Sequence, residues 1–148
     1  MQPIPVDQLT PDQHDLIQAA IHGRGLAYAP LSHFRCGAAV RDESGAIHHG
    51  GNIETVDMTL TTHAEMCAIN AMRMAGGKKL TALACALLAG NGYSFPCGLC
   101  RQKIREFSVD GNVPILCVSL ATDTDIRAVH LATIDELFPY PFLPDCIA

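Results

Sequence analysis

Apolar residues at helical spacing open the chain, with Leu16, Ile17, Ala20 and Ile21 on one stripe. Thr10 precedes them as a cap, with Pro11 at the first helical position and Gln13 at the third. Gly23 and Gly25 close this helix, whose role is packing. Residues 26–34 read as a loop feeding a strand. Cys36 to Arg41 predicts that strand, Ser44-Gly45 a hairpin turn, and Ala46 to His49 the returning strand. Gly50-Gly51 is expected to break the pairing before Asn52-Ile53-Glu54.

The next helix is predicted from about His63 to Ala75, ended by Gly76-Gly77. Beyond its first turn only Asn70 and Arg73 are strongly polar, so it should be covered by a sheet on one face and by another helix or subunit on the other. Leu80 to Leu88 predicts a strand, and 91–95 a loop. A helix follows from Cys97 to about Phe107, with Cys100, Ile104 and Phe107 inward and Lys103, Arg105 and Glu106 outward. Val113 to Leu120 predicts a strand whose Pro114 marks an edge or a strand beginning. Ile126 to Leu131 predicts another. Thr133 and Glu136 form a capping box for a short last helix that Pro139 stops. This alternation predicts an α/β fold, a helix-covered mixed sheet of five strands, in one domain spanning residues 1–148.

Composition sharpens the picture in three ways. Charged residues make up 17% against 49% hydrophobic, where about 25% charged is usual. Either surface is hidden in an oligomer, or small Ala and Gly residues displace long side chains. The net charge of -5, with basic groups only at Lys78-Lys79 and from Arg101 to Arg105, argues against an extended nucleic-acid footprint. Seven cysteines, an odd number with several in apolar runs, fit reduced thiols in a cytoplasmic setting better than a disulfide framework. Residues 1–5 lack a basic stretch and an apolar core, so no signal peptide is expected, and no apolar run reaches membrane-spanning length.

The chemistry lies in His63-Ala64-Glu65 and Pro96-Cys97-Gly98-Leu99-Cys100. Cys97 and Cys100 stand three apart at a helix start, where they share a face and the dipole favours thiolate. Alone, such a pair also suits redox chemistry or a core. With His63 at a second helix start, one Zn2+ could take all three ligands and keep a fourth position open. A closed structural site would need a further ligand, for which His22, His33, His48, His49, Cys36 and Cys67 are the candidates. Glu65 has two readings. It completes a capping box with Thr62, or it moves the proton of an acidified water during displacement of an amino group from a ring carbon. The backbone of Ala64 or Cys97 could fix the polar edge of the ring, and Phe34 could stack on it or belong to the core. His14 and His130 carry no assignment.

His-x-Glu followed by Pro-Cys-x-x-Cys is a signature of zinc-dependent deaminases. With Tyr28-Ala29-Pro30-Leu31-Ser32-His33-Phe34, Gly51-Asn52-Ile53-Glu54, Thr62-His63-Ala64-Glu65 and Pro96-Cys97-Gly98-Leu99-Cys100-Arg101-Gln102, the chain resembles the cytidine deaminase family from Ala27 almost to the C-terminus. The resemblance implies a three-layer α/β/α sandwich around a five-stranded mixed sheet. It implies hydrolytic deamination of cytidine and deoxycytidine with zinc on His63, Cys97 and Cys100 and with Glu65 catalytic. Asn52 and Glu54 would hold the ribose hydroxyls, Phe34 would pack at the nucleoside, and a homo-oligomer, a tetramer before a dimer, would bring Phe142 to a neighbouring site. Three positions depart from short family members: His63 replaces a third cysteine, Met66 an arginine and Met58 a tyrosine. A modified pyrimidine nucleoside or nucleoside antibiotic is therefore the alternative substrate. A deaminase of nucleic acid and a non-catalytic zinc-stabilised protein are the competing classes.

Overall fold

The computed structural model of the chain describes residues 2–90 and 92–147; Asn91, where the expected 91–95 loop begins, lies outside them. Ten regular elements carry the fold: β1 (Gln2–Ile4), α1 (Pro11–Gly25), β2 (Cys36–Asp42), β3 (Ile47–Gly51), α2 (Ala64–Met74), β4 (Leu80–Leu88), α3 (Gly98–Phe107), β5 (Pro114–Leu120), β6 (Ile126–Thr133) and α4 (Ile134–Leu137). The strands form one sheet in the order β1-β6-β5-β4-β2-β3. β4 and β5 are parallel, and the other neighbouring pairs are antiparallel.

The sheet separates two cores. Leu16, Ile17 and Ala20 of α1 pack on Ala39, Ala84, Ala86, Leu116 and Val118. On the other face Ala64, Ala68, Ile69 and Met72 of α2, with Cys100 and Ile104 of α3, pack on Val40, Leu83, Cys85, Ile115 and Cys117. Successive strand residues point to opposite faces, so β4 and β5 are apolar throughout because both faces are covered. This is the α/β/α layering the sequence implies. α2 meets the sheet and α3, while its Ala71 and Met74 are exposed.

Two expectations about strands need correction. The sheet has six strands rather than five. The added β1 pairs with β6, Ile4 opposite Val129, and its three residues are too few for periodicity to show. Its Pro3 is tolerated because β1 is an edge. Gly50 and Gly51 do not end the hairpin but remain in β3. A Cβ on Gly50 would stand 2.5 Å from the Ala68 nitrogen, and one on Gly51 2.5 Å from the Gly23 carbonyl oxygen. The glycines let α2 and α1 close on the edge strand from opposite faces. Pro114 resolves as a strand beginning, since β5 is central.

Three local devices match the pattern. Thr10 and Gln13 exchange capping bonds of 3.2 and 3.0 Å at the start of α1. Thr133 and Glu136 do the same for α4, at 2.8 and 3.2 Å. In the β2–β3 turn the Asp42 carboxylate accepts from the Ser44 hydroxyl at 2.6 Å and from the Ser44 and Ala46 amides at 2.8 and 3.0 Å, and it lies 2.8 Å from His48 Nε2. Among the described residues, no helix is long and apolar enough to cross a membrane.

The Ser44 hydroxyl first, and His48 next, hold the Asp42 carboxyl far below the usual carboxylate range. A depressed folded pKa gives stability that is complete above the unfolded value of about 3.9 and is lost as pH falls below it. Asp42→Asn should therefore lower the urea midpoint at pH 7 and flatten its fall between about pH 5 and 3 relative to the parent chain. Parallel pH profiles for the two proteins would show that this carboxylate does not carry the linkage.

Candidate active site

His63 and Cys97 are the N-cap residues of α2 and α3. Both have extended backbone, φ -74° and ψ 155° for His63, φ -68° and ψ 169° for Cys97, and neither side chain caps its own helix. Their side chains are free to reach past the helix ends, and the fold brings those ends together. His63 Nδ1 lies 3.2 Å from Cys100 Sγ and 3.3 Å from Cys97 Sγ. All three ligand atoms fall within 4.8 Å of one another, and among the described residues no fourth His, Cys, Asp or Glu joins them. The closed four-ligand site considered from sequence is not assembled. One imidazole and two thiols suit zinc in both softness and number, with a coordination position left for a small molecule. Burial, then the Glu65 carboxylate and Cys97, push the Cys100 thiol well above its ordinary value. A divalent cation on these donors acts in the opposite sense and favours the thiolate.

The capping-box reading of Glu65 fails. Thr62 exchanges backbone hydrogen bonds with Ile53, at 3.0 and 2.9 Å, and this bridge holds it outside the helix. The cap falls on His63, which leaves Glu65 at the second helical position rather than the third. Its side chain is turned inward, 8% exposed, and its charge helps to raise the pKa of the Cys100 thiol.

Glu65 lines a cavity of about 320 Å³ together with Phe34, Asn52, Glu54, His63, Ala64 and Cys97. Cys100 sits behind it, fully buried. Asn52 and Glu54 are nearly as buried, 8% and 3% exposed. Asn52 accepts from the Cys36 amide at 2.8 Å and donates to the Phe34 carbonyl at 2.9 Å. Glu54 accepts from the Leu31 and Ser32 amides, at 2.9 and 3.2 Å, and from the Ser32 hydroxyl. That hydroxyl, the two amides and the field of His33 hold its carboxyl below the usual range despite burial. The two side chains thus brace the 28–36 loop, including His33 at φ 58°, while presenting their remaining hydrogen-bonding capacity to the cavity.

Phe142 does not line the cavity. Its backbone is tied to α3, where its N–H donates to Gln102 Oε1 at 3.2 Å and its carbonyl accepts from Gln102 Nε2. Ser32, Cys85 and Phe95 are among the lining residues that carried no assignment from sequence, and Cys36, weighed there only as a further zinc ligand, lines the cavity instead. Alternation along β2 and β4 places Cys36 and Cys85 on the α2 face, but nothing in the pattern shows that the face opens there. Burial and Glu65 push the Cys36 thiol up to about 12. Arg101 steadies the rim by donating from Nε to the Pro96 carbonyl at 2.8 Å and from Nη1 to the Leu137 carbonyl at 3.1 Å.

Comparison with known proteins agrees with this geometry. Residues 10–117 match the family model of the cytidine and deoxycytidylate deaminase zinc-binding region. A cytidine deaminase of Sporosarcina psychrophila is 35% identical over 131 residues, which cover 88% of this chain and 91% of that protein. Cytidine deaminase 3 of Arabidopsis thaliana is 33% identical over 80% of this chain, but the match spans 55% of the plant protein. The crystal structure of cytidine deaminase from Burkholderia pseudomallei superposes with a TM-score of 0.79 at 31% identity, over 90% of this chain and 100% of that one.

The donor set makes metal content a direct readout. The purified protein should hold about one zinc per chain, and Cys100→Ser should hold close to none by elemental analysis. Chelator-treated protein should melt below the zinc-loaded form, by an amount that grows with free zinc. Undiminished zinc in the variant would remove Cys100 from the ligand set.

Proposed function

The chain belongs to the cytidine and deoxycytidylate deaminase family, and from that premise we propose that it hydrolyses cytidine and deoxycytidine to uridine and deoxyuridine, releasing ammonia. One observation supports this reading above the others: a buried carboxylate, Glu65, stands beside a three-donor metal cluster in the same cavity as Asn52 and Glu54.

His63, Cys97 and Cys100 would hold Zn2+, which supplies Lewis acidity and makes a coordinated water acidic near neutral pH. Glu65 is the catalytic residue. It accepts a proton from the water whose oxygen adds to the ring carbon bearing the amino group, and it passes that proton to the adjacent ring nitrogen. It then carries the second water-derived proton to the departing amine. One water enters and one ammonia leaves, so the atoms balance. The N–H groups at the starts of α2 and α3, among them that of Ala64, lack helical partners and face the polar edge of the base, as does the backbone of Cys97. Phe34, half exposed at the cavity wall, stacks on the ring. Asn52 and Glu54 pair with the sugar hydroxyls, the first as donor and the second as acceptor.

The whole chain acts as one domain in this reading, a cytoplasmic enzyme of pyrimidine nucleoside salvage with free thiols. It works as a homo-oligomer, most simply a tetramer. Tyr28, Leu31, Ile53, Val56 and Leu60 support that state, being large apolar residues exposed on the segments that frame the cavity. Phe142, itself exposed, would then reach a neighbouring site.

Glu65→Gln should keep its zinc and its fold while kcat falls by about 10²–10⁴-fold. Turnover retained with zinc in place would remove the assigned role. The parent enzyme should favour cytidine over cytosine in kcat/KM by at least about fivefold, since an unpaired buried polar group costs about 1–3 kcal/mol. Equal values would sever Asn52 and Glu54 from substrate binding. Light scattering at micromolar concentration should give a multiple of the 15.8 kDa chain mass; a monomer would overturn the assembly.

A further inference from the structure

Two histidines outside the cavity meet on the opposite side of the sheet. His22 lies in the last turn of α1, and His49 lies on the edge strand β3. β3 alternates its side chains. His48 stands opposite Val40 and turns to Asp42, whereas His49 stands opposite Ala39, on the α1 face. The His22 and His49 rings have centroids 4.7 Å apart and planes at 83°, and both residues are exposed.

We propose that His22 and His49 form a second metal site, for a divalent transition ion of the nickel, copper or zinc class, which clamps the end of α1 to the edge strand β3.

The spacing carries the argument first. With a metal about 2.0–2.1 Å from each ligating nitrogen, two imidazoles on one ion place their ring centroids about 4.5–5.2 Å apart for ligand angles of about 90–110°. The observed separation lies within that interval, and both rings are exposed. The backbone beneath is held in place. A Cβ on Gly23 would stand 2.5 Å from the Gly50 carbonyl oxygen, and one on Gly51 2.5 Å from that of Gly23, so the helix end and the strand are in direct contact at the two residues that follow His49. The pair is therefore set by packed backbone and not by a mobile loop. Its chemistry differs from that of the cluster at His63. Two imidazoles without a thiol suit copper(II), nickel(II) and zinc(II), and not magnesium or calcium, which take oxygen ligands. Solvent fills the remaining positions.

The test uses untagged, zinc-loaded protein at pH 7.5; burial, then His22 and His48, lower the His49 pKa, which favours its neutral, ligating form. Calorimetric titration with Ni2+ should show one further equivalent per chain, with no zinc released to the filtrate. Cu2+ bound there should give an electron paramagnetic resonance spectrum with nitrogen hyperfine structure. His22→Asn and His49→Asn should each weaken Ni2+ binding at least tenfold, while His48→Asn should leave it unchanged. Because the His22 and His49 side chains are exposed, those two variants should keep the parent melting temperature in chelator, and all three should keep the parent kcat on cytidine without added metal. If a variant fails that folding check, the Gln substitution at the same position replaces it. Absence of a second equivalent, displacement of zinc in its place, parent-level uptake by His22→Asn or His49→Asn, or loss in His48→Asn would each overturn the proposal.

Discussion

Everything at the candidate active site depends on two helices beginning at the same point. The first N–H groups of a helix lack partners and carry its positive end. α2 and α3 bring two such ends together, with His63 and Cys97 as their cap residues and Cys100 one turn inside. That convergence favours thiolate, gathers hydrogen-bond donors near the polar edge of a base, and leaves Glu65 as the buried carboxylate beside the cluster. It requires α2 to lie close against the sheet, and Gly50 permits this because any side chain there would meet the backbone of α2.

The opposite wall of the cavity is built on a different principle. The 28–36 segment has no regular structure of its own beyond the first residue of β2, and its shape is taken from Asn52 and Glu54. Between them these side chains bind the amides of Leu31, Ser32 and Cys36 and the carbonyl of Phe34. Tyr28 adds a backbone exchange with the same strand extension, donating to the Asn52 carbonyl and accepting from the Glu54 amide, both at 2.8 Å. The residues proposed for the sugar are thus also the scaffold of the loop that carries Phe34, so in the proposed function positioning of the ring and grip on the ribose would be coupled through the same hydrogen bonds.

The helices were legible because their stripes, caps and glycine ends are local signals, and Thr10–Gln13 and Thr133–Glu136 behave as such signals predict. The metal cluster was legible because three soft donors at two helix starts are rare for any other purpose. What escaped depended on distant neighbours. β1 exists because β6 offers an edge, and nothing in Gln2–Ile4 announces it. Gly50 and Gly51 look like a break until α1 and α2 are seen pressing on them. The Glu65 capping box fails through a long-range bridge from Thr62 to Ile53. His22 and His49, weighed from sequence as spare zinc ligands, are carried by α1 and β3 to each other instead.

The single parallel pair, β4 with β5, sets an order on how the chain can assemble. Antiparallel neighbours such as β2 and β3 are joined by a short turn and close locally, whereas a parallel pair must wait for its crossover, here through α3. Cys97 and Cys100 lie within that crossover, and His63 lies before it, across β4 in sequence. The three ligands come from either side of β4 in sequence and meet only once α2 and α3 are both packed on the same face of the sheet. A nascent chain therefore has no competent metal centre until both helices are docked on the sheet, and an ion held there would tie the start of α2 to the start of α3 across the intervening β4.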